Sequence, residues 1–391
     1  MSRVIPGARA AAAALAAAGL LTVGACGTQA PSSPGPAAGS SATGPGASSM
    51  ATSIAGSLDS WAIVPMAAGP AFWQVFARTA NSAAWKLVTP PGVAINGGIV
   101  ASADGASALT VAVRPSNDLT FSPLATTANG GASWSTGGPI DAAVAASPGA
   151  LGTAGNRLVA LLSDGTIETS SDAGTTWSVT AGPGAIATSP AARGCGGTVR
   201  ITSVSFGAAG TDVLAGGTCG TGGTTALFSY SPGTGWQRVS LPVSGRLVRF
   251  AAGTALVQAK AGLIALFGGD YGWYAYAPLA ATPQAVPAGW HASAALPVPG
   301  PVTASGALAL GGDWVLLSGG RAATISGPGQ QWTPLPPVPA KTAVLASGPD
   351  EAVDALSVSG ATLTVWRLAK AATVWSRVQT IKVPIQYGSS S

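Results

Sequence analysis

The sequence predicts an all-β fold, and three observations support this. Apolar residues make up 47% of the 391-residue chain and charged residues only 8%, which favours a packed core over disorder. Glycine (55) and proline (30) are abundant, as expected for many turns between short strands, and no long amphipathic helical pattern is present. Seven of the twelve tryptophans recur at similar intervals, each preceded by a turn-like stretch. We therefore expect short strands in a repeated unit.

The best copy of this unit is Ser-Ser-Asp-Ala-Gly-Thr-Thr-Trp at residues 170–177. A short hydroxyl and a carboxylate fold the chain into a turn, glycine permits an unusual backbone conformation, and tryptophan anchors the next strand. The residues that carry this pattern are Ser170, Asp172, Gly174, Thr176 and Trp177. A second copy has the equivalents Thr127, Asn129, Gly131, Ser133 and Trp134. Both copies predict a turn between the third and fourth strands of a unit.

Weaker copies keep only a small-residue turn and the tryptophan. The complete series of anchors is Trp85, Trp134, Trp177, Trp236, Trp290, Trp332 and Trp375. Their spacings are 49, 43, 59, 54, 42 and 43 residues, and a period of about 40–50 residues is typical of propeller blades. The sequence predicts a seven-bladed β-propeller of four-stranded antiparallel blades over residues 57–391. Trp273 is the alternative anchor of the fifth blade, with Trp290 then lying in an insertion.

The first blade has room for only three strands, at Trp61–Val64, Phe72–Arg78 and Trp85–Val88. The segment Thr380–Ile385 lies beyond the last blade. We predict that it supplies the missing innermost strand, so that pairing of the two chain ends closes the ring and removes an exposed edge.

One unit can be assigned strand by strand, because its turns are clear. The innermost strand is predicted near Ala142–Ala146, followed by Arg157–Ser163, Thr166–Ser170 and Thr176–Val179.

The amino terminus has the pattern of an export signal. Arg3 and Arg9 precede an apolar stretch that ends in Leu21–Cys26, where small residues come directly before a cysteine. This resembles a bacterial lipobox, which implies cleavage before Cys26, lipidation of Cys26 and anchoring to the outer face of the cell membrane. The alternative is an ordinary secretory signal with a chance cysteine. We predict a signal peptide at 1–25 and a flexible Ser/Gly/Pro/Ala-rich tether at 26–56.

The two remaining cysteines, Cys195 and Cys219, flank two strand-like stretches around Gly207–Ala208. If these stretches pair as a hairpin, the cysteines face each other at its open end, which suits a disulfide in an exported protein. Two unpaired buried thiols are the alternative. With two cysteines and a single histidine, no metal site is expected.

Charge excludes one class of partner. The chain has 18 Lys+Arg and 13 Asp+Glu, and setting aside Arg3 and Arg9 leaves a balance of +3 without a basic cluster. Nucleic acid is therefore not an expected partner. No cofactor is expected either, and the domain is expected to be a monomer.

The two good turn motifs resemble the Asp box of bacterial neuraminidase repeats. The chain is also similar to the propellers of photosystem II assembly-factor-like proteins, through Asp59-Ser60-Trp61 and Asp313-Trp314-Val315-Leu316-Leu317. The resemblance implies a propeller in which the Asp box is a structural turn away from the binding face.

The same resemblance raises the question of sialidase chemistry, which implies an arginine triad, a Tyr–Glu pair and an acidic proton donor. Arg78 and Arg114 do not match the expected first-arginine motif. Only two glutamates exist, Glu168 beside the turn motif and Glu351 in a turn. No catalytic residue is therefore assigned, and a divergent sialidase-like or other glycoside hydrolase remains the alternative function.

One aromatic stretch departs from the repeat. It contains Tyr271, Trp273, Tyr274 and Tyr276. It is either a binding surface for a polysaccharide or protein partner, or an ordinary strand whose aromatics pack between blades. The sequence as a whole predicts a lipid-anchored, extracytoplasmic propeller that binds an envelope protein or polysaccharide without catalysis.

Overall fold

A computed structural model describes most of the chain after residue 51. The described residues are 52–55, 59–66, 72–91, 98–104, 107–113, 122–135, 143–144, 148–207, 210–251, 254–268, 289–298, 314–317, 320–325 and 327–384. Over these ranges no helix has the length and apolarity needed to cross a membrane.

The protein is all-β, and its antiparallel sheets are built from runs of strands that are consecutive in the sequence. The first sheet contains β1 (Thr52–Ala55), β2 (Ser60–Pro65), β3 (Trp73–Arg78) and β4 (Lys86–Leu87). The second contains β5 (Ile99–Asp104), β6 (Ala108–Val113), β7 (Ser122–Thr127) and β8 (Ala143–Val144). The third contains β9 (Pro148–Ala154), β10 (Arg157–Leu162), β11 (Ile167–Ser170) and β12 (Ser178–Ala181).

The next two runs are joined into one eight-stranded sheet by the single pair Thr224–Arg246. The fourth run contains β13 (Val199–Phe206), β14 (Val213–Cys219), β15 (Thr224–Ser231) and β16 (Gly235–Val239). The fifth contains β17 (Arg246–Ala251), β18 (Thr254–Ala259), β19 (Gly262–Gly268) and β20 (Trp290–Ala292). Helix α1 (Ala185–Thr188) and a 3-10 turn (Pro190–Ala192) precede the fourth run.

Two further sheets complete the described chain. The sixth run contains β21 (Trp314–Leu317), β22 (Arg321–Thr324) and β23 (Thr333–Pro334). The last sheet contains β24 (Thr342–Ser347), β25 (Val353–Ser359), β26 (Thr362–Leu368) and β27 (Ser376–Lys382).

The core lies between neighbouring runs. Six of the hydrophobic clusters of the described residues each join two consecutive runs, as Trp61 and Val111 join the first and second. The remaining cluster joins the first sheet to the last, through residues such as Phe76 and Val344. The strands bury apolar side chains on both faces of each sheet, because each sheet has a neighbouring sheet on either face. Each run therefore packs on the next one in the chain, and the last packs on the first.

The tryptophan anchors occupy equivalent places. Each of the seven lies at the start of the strand or bridge that follows the third strand of its run, or the second described strand in the sixth. Five directly precede it, Trp290 is its first residue and Trp236 its second. Trp290 is the first residue of β20, which pairs with β19, so the structure places this residue at the anchor position of the fifth run. The alternative anchor, Trp273, lies outside the described residues.

The predicted closure by pairing of the chain ends is wrong for the residues described. Thr380 and Lys382 belong to β27, which pairs with β26 of its own sheet. The innermost strand of the first sheet is β1, which pairs with β2 and begins inside the predicted tether. Because Thr52–Ala55 has the same small, uncharged composition as the tether, its strand character is hidden in the sequence.

The innermost strand predicted for the third sheet is also wrong. The innermost strand of the third sheet is β9 at Pro148–Ala154, whereas Ala143–Val144 forms β8, the outer strand of the preceding sheet. The other three strands of the third sheet lie within two residues of their predicted bounds.

Candidate functional site

The strands give the domain two ends, which differ in chemistry. Within a run the connections from first to second and from third to fourth strand lie at one end, because neighbouring strands are antiparallel. In the third sheet these two connections touch, since Ala173 N–H donates to Asn156 O at 2.8 Å. In the second sheet Gly130 N–H donates to Ser107 O at 3.0 Å. We name this end the Asp-box face, and the opposite end, which carries the other connections, the basic face.

The Asp-box turn of the third sheet is closed by its own side chains. The Ser170 hydroxyl donates to Asp172 Oδ1 at 2.8 Å and accepts from Gly174 N–H at 2.9 Å. The Asp172 carboxylate accepts from Thr176 N–H at 2.8 Å and from the Thr176 hydroxyl at 2.6 Å. These bonds from Thr176, with the bond from Ser170, lower the pKa of Asp172 to about 2. The Asp172 carboxylate therefore uses its hydrogen bonds to close the turn.

The second copy repeats this geometry with neutral residues. The Thr127 hydroxyl donates to Asn129 Oδ1 at 2.9 Å and accepts from Gly131 N–H at 3.0 Å. Asn129 Oδ1 accepts from Ser133 N–H at 2.9 Å, and Asn129 Nδ2 donates to Ser133 Oγ at 2.8 Å. An amide in place of the carboxylate keeps the turn, so the charge of Asp172 is not required for its shape.

Each turn is also fitted against the preceding sheet. Gly174 has φ 92°, and a Cβ atom there would lie 2.6 Å from Leu124 Cδ1 of the second sheet. Trp177 packs into the cluster between the second and third sheets, and its Nε1 donates to Gly174 O at 3.0 Å. In the other copy, Trp134 Nε1 donates to Val88 O at 2.7 Å, beyond β4 of the first sheet. The turns therefore connect neighbouring sheets.

A polar network joins the first and last sheets at the same face. Asp354 is fully buried and pairs with Arg367 through bonds of 2.7 and 2.8 Å. Its Oδ2 also accepts from Trp85 Nε1 at 2.8 Å. Arg78 crosses the same boundary, with bonds to Ser347 O at 3.1 Å and Gly348 O at 3.2 Å. Burial lowers the pKa of Arg78 below its usual value.

The described residues that were considered for sialidase chemistry do not form one site. Arg78 lies in the network above, whereas Arg114 is outside the described residues. Glu351 forms an exposed ion pair of 2.7 Å with Lys370 at the Asp-box face. Glu168, in β11, is half-buried, its Oε2 has no hydrogen-bond partner, and burial followed by the charge of Asp164 raises its pKa. The structure does not bring the two glutamates together.

The basic face carries a disulfide-bonded connection between the third sheet and the fourth run. Cys195 and Cys219 form a disulfide with an S–S distance of 2.06 Å, which confirms the predicted pair. β13 and β14 form the predicted hairpin, with Cys219 paired to Val199 at its open end. The buried disulfide packs with α1 and the 3-10 turn in the cluster between the third sheet and the fourth run.

A cleft of about 190 Å³ opens beside this connection. Its apolar lining consists mainly of small aliphatic residues from the end of β12, from the connection and from β13. They include Ala181, Ile186, Ala187, Val199 and Ile201. Two charged residues also line it, Asp164 from the β10–β11 turn and Arg200 from β13, and both are exposed. The cleft can hold an aliphatic group next to a charge of either sign.

Exposed cations collect at the basic face. Among the described residues they are Arg193, Arg200, Arg238, Arg246, Lys260, Arg321, Lys341 and Lys382, which lie at or next to strand ends of this face or in its connections. Of the described acidic residues, only the exposed Asp164 and the half-buried Glu168 lie toward this end. The others lie at the Asp-box end, namely Asp59, Asp104, Asp172, Asp212, Asp350, Glu351 and Asp354. Both ion pairs of the described chain, Arg367–Asp354 and Lys370–Glu351, are at the Asp-box face as well.

Sequence reasoning missed this basic face. Its eight described cations are spread over almost 190 positions, so no cluster appears in the sequence, and only their positions relative to the strands reveal it. The predicted lipidation site Cys26 and the aromatic residues lie outside the described chain. These aromatics are Tyr271, Trp273, Tyr274 and Tyr276. Among the described residues, no three His, Cys, Asp or Glu side chains are grouped as metal ligands.

No family model and no curated protein matches the chain. Solved structures do resemble it, including YCF48 from Cyanidioschyzon merolae, at 16% identity and a TM-score of 0.45 over 82% of this chain and 95% of that one. A xyloglucanase from Xanthomonas campestris matches at 15% identity and a TM-score of 0.36, over 86% of this chain and 46% of that one. The six-bladed fucose-binding lectin of Aleuria aurantia matches at 13% identity and a TM-score of 0.36, over 88% and 97%. All three TM-scores are below 0.5, so neither the fold nor the function of this chain is argued from these similarities.

Proposed function

We propose that the protein is a lipid-anchored, extracytoplasmic, seven-bladed β-propeller that binds an envelope protein and has no catalytic role. The blade count rests on the runs themselves. Each run buries both faces against neighbours, and the first sheet packs on the last, which is the arrangement of a ring of blades. The first and last blades meet through side chains.

Two features support the location. Leu21–Cys26 has the pattern of a lipobox, followed by a Ser/Gly/Pro/Ala-rich stretch that suits a tether. The Cys195–Cys219 disulfide suits an oxidising compartment outside the cytoplasm. We therefore propose that lipidated Cys26 holds the domain at the outer face of the cell membrane.

The cleft on the basic face is the proposed contact site, and its size is the observation that carries the proposal. At about 190 Å³ it is smaller than the roughly 300–1,000 Å³ of pockets that enclose small-molecule substrates. It fits a single aliphatic side chain, the kind of anchor that a protein partner inserts at an interface. Asp164 and Arg200 supply polar contacts beside that anchor.

A capture experiment with the lipidated protein, in detergent-solubilised envelope, tests this function. Ala187→Phe fills the cleft and is expected to reduce recovery of the crosslinked partner at least tenfold. Ala132→Phe, at an exposed position of the Asp-box face, is the matched control and is expected to leave recovery unchanged. Equal recovery with both variants would remove the cleft as the contact site.

Glu168 favours one alternative, a divergent glycoside hydrolase. Its raised pKa and its unpartnered Oε2 are properties of a general acid, and Asp164 is the neighbouring carboxylate. Hydrolysis of any member of a glycan panel by the wild-type protein, lost in Glu168→Gln, would establish this alternative. We expect no hydrolysis by either protein, because Asp164 bonds to Thr166 within its own turn.

A further inference from the structure

We propose that the basic face docks on the anionic phospholipid headgroups of a membrane surface. The inference rests on the lipid anchor of the proposed function only for the nearness of that surface. The docking itself depends on exposed charge and can be measured without the anchor.

The distribution of the cations suits a flat, extended anion better than a compact ligand. Among the described residues, the face presents eight exposed Lys and Arg residues, distributed over the fourth, fifth, sixth and last runs and the connections that precede them. They are placed as one to three side chains per run, such as Lys260 in the β18–β19 turn and Arg321 at the start of β22. A membrane surface offers headgroups at every such position at once, whereas a small anion contacts only one or two of them.

The opposite face does not offer the same charge. Two of its cations form ion pairs, Arg367 with Asp354 and Lys370 with Glu351. It also holds seven of the described carboxylates, including Asp172 and Asp212. An anionic surface is therefore attracted by one end of the domain and not by the other.

The chain enters the domain at the basic face, so the segment that leads from Cys26 joins the domain there. β1 begins at Thr52, which pairs with Ile63 near the end of β2, and the second strand of each run ends at the basic face. Cys26 precedes Thr52 by 26 residues, and a flexible Gly/Ser-rich chain of that length spans roughly 30 Å. An anchored Cys26 would therefore attach the domain through its basic face and keep that face at a high local concentration near the membrane.

The contribution of each cation is modest, and docking comes from their number. One Lys or Arg near an anionic leaflet strengthens binding about fivefold at low to physiological ionic strength. Reversing three such charges is expected to weaken vesicle binding by at least a hundredfold. High salt is also expected to weaken vesicle binding, because screening shortens the range over which each charge acts.

The test uses the chain from residue 26 onward with Cys26→Ser, so that no acyl group contributes. Binding is measured by cosedimentation with vesicles of 30% phosphatidylglycerol in phosphatidylcholine, and with vesicles of phosphatidylcholine alone, at 0.1 M and 0.5 M salt. The docking variant carries Lys260→Glu, Arg321→Glu and Lys382→Glu, all outside the cleft. The matched control carries Lys86→Glu, Lys370→Glu and Arg377→Glu, which changes net charge equally at the Asp-box face. Circular dichroism and thermal unfolding confirm that each variant folds.

We expect the wild type and the control to bind anionic vesicles at 0.1 M salt. We expect this binding to be lost in the docking variant and in 0.5 M salt. Equal loss in both variants would show that net charge alone matters, and it would overturn the proposal. A wild-type protein that does not bind anionic vesicles would also overturn the proposal. This holds even where the docking variant loses capture of an envelope protein, because the cations would then serve a protein partner. The envelope capture with Ala187→Phe is independent of these vesicles, so failure of docking and failure of the proposed function are separable.

Discussion

Gln379 in the last sheet binds both backbone polar groups of Trp85 in the first. Trp85 N–H donates to Gln379 Oε1 at 2.8 Å, and Gln379 Nε2 donates to Trp85 O at 2.8 Å. The side-chain amide thus acts as a single unit of strand pairing between two sheets that share no strand.

Gln379→Ala is expected to destabilise the domain by about 2 kcal/mol, because it leaves the Trp85 backbone groups without these partners. Urea unfolding measures the change. Gln237→Ala provides the control, since Gln237 in β16 is exposed and donates only to Thr234 O in its own turn. Similar losses in the two variants would show that Gln379 has no special role between the sheets.

Asp354→Asn is expected to cost about 3 kcal/mol, because it leaves Arg367 beside a neutral group in a buried setting. Lys370→Ala removes an ion pair whose members are more than half exposed, and is expected to cost less than about 1 kcal/mol. Both values come from chemical unfolding at neutral pH. A loss in Asp354→Asn no larger than that in Lys370→Ala would contradict this account of the network.

The acid limb of the stability curve is expected to depend on Asp172. Its pKa is lowered in the folded protein from 3.8 to about 2, so the carboxylate contributes stability above pH 3.8 that is lost as pH falls toward 2. Asp172→Asn retains the turn, as Asn129 shows, and removes the titration. Urea midpoints measured between pH 5 and pH 2 should therefore fall less steeply in Asp172→Asn than in the wild type. Parallel curves would contradict the shift.

Removal of the disulfide is expected to destabilise the domain by about 3 kcal/mol, since the bond closes a chain segment of 24 residues. Cys195→Ala with Cys219→Ala is compared with the wild type by urea unfolding. The wild type treated with reductant serves as the control, because it should lose a similar amount without any substitution. An unchanged free energy of unfolding in the double variant would show that the connection is held by its packing alone.

The repeat and the all-β class could be predicted because they depend on local chemistry. The turn at Ser170–Trp177 is set by bonds within eight residues, and a large aromatic residue then fixes where the next strand begins. The disulfide was also predictable, since its cysteines flank one hairpin.

The errors have a common origin in weak or distant signals. The strands at Thr52–Ala55 and Pro148–Ala154 consist mainly of small residues, and nothing in their composition separates them from linkers. The cleft and the basic face join residues that are far apart in the chain, such as Asp164 with Arg200 and Arg193 with Lys382. Such sites appear only after the direction of every strand is known.

The absence of a strand shared by the first and last sheets, among the residues described, has a mechanical consequence. Tension applied between Thr52 and Lys382 would act on the side-chain contacts of Trp85, Asp354 and Gln379, because no ladder of backbone hydrogen bonds between described residues spans this junction. Under load the first and last sheets should separate there first, while the individual sheets stay folded. In the anchored protein that we propose, pulling by a bound partner would load this junction.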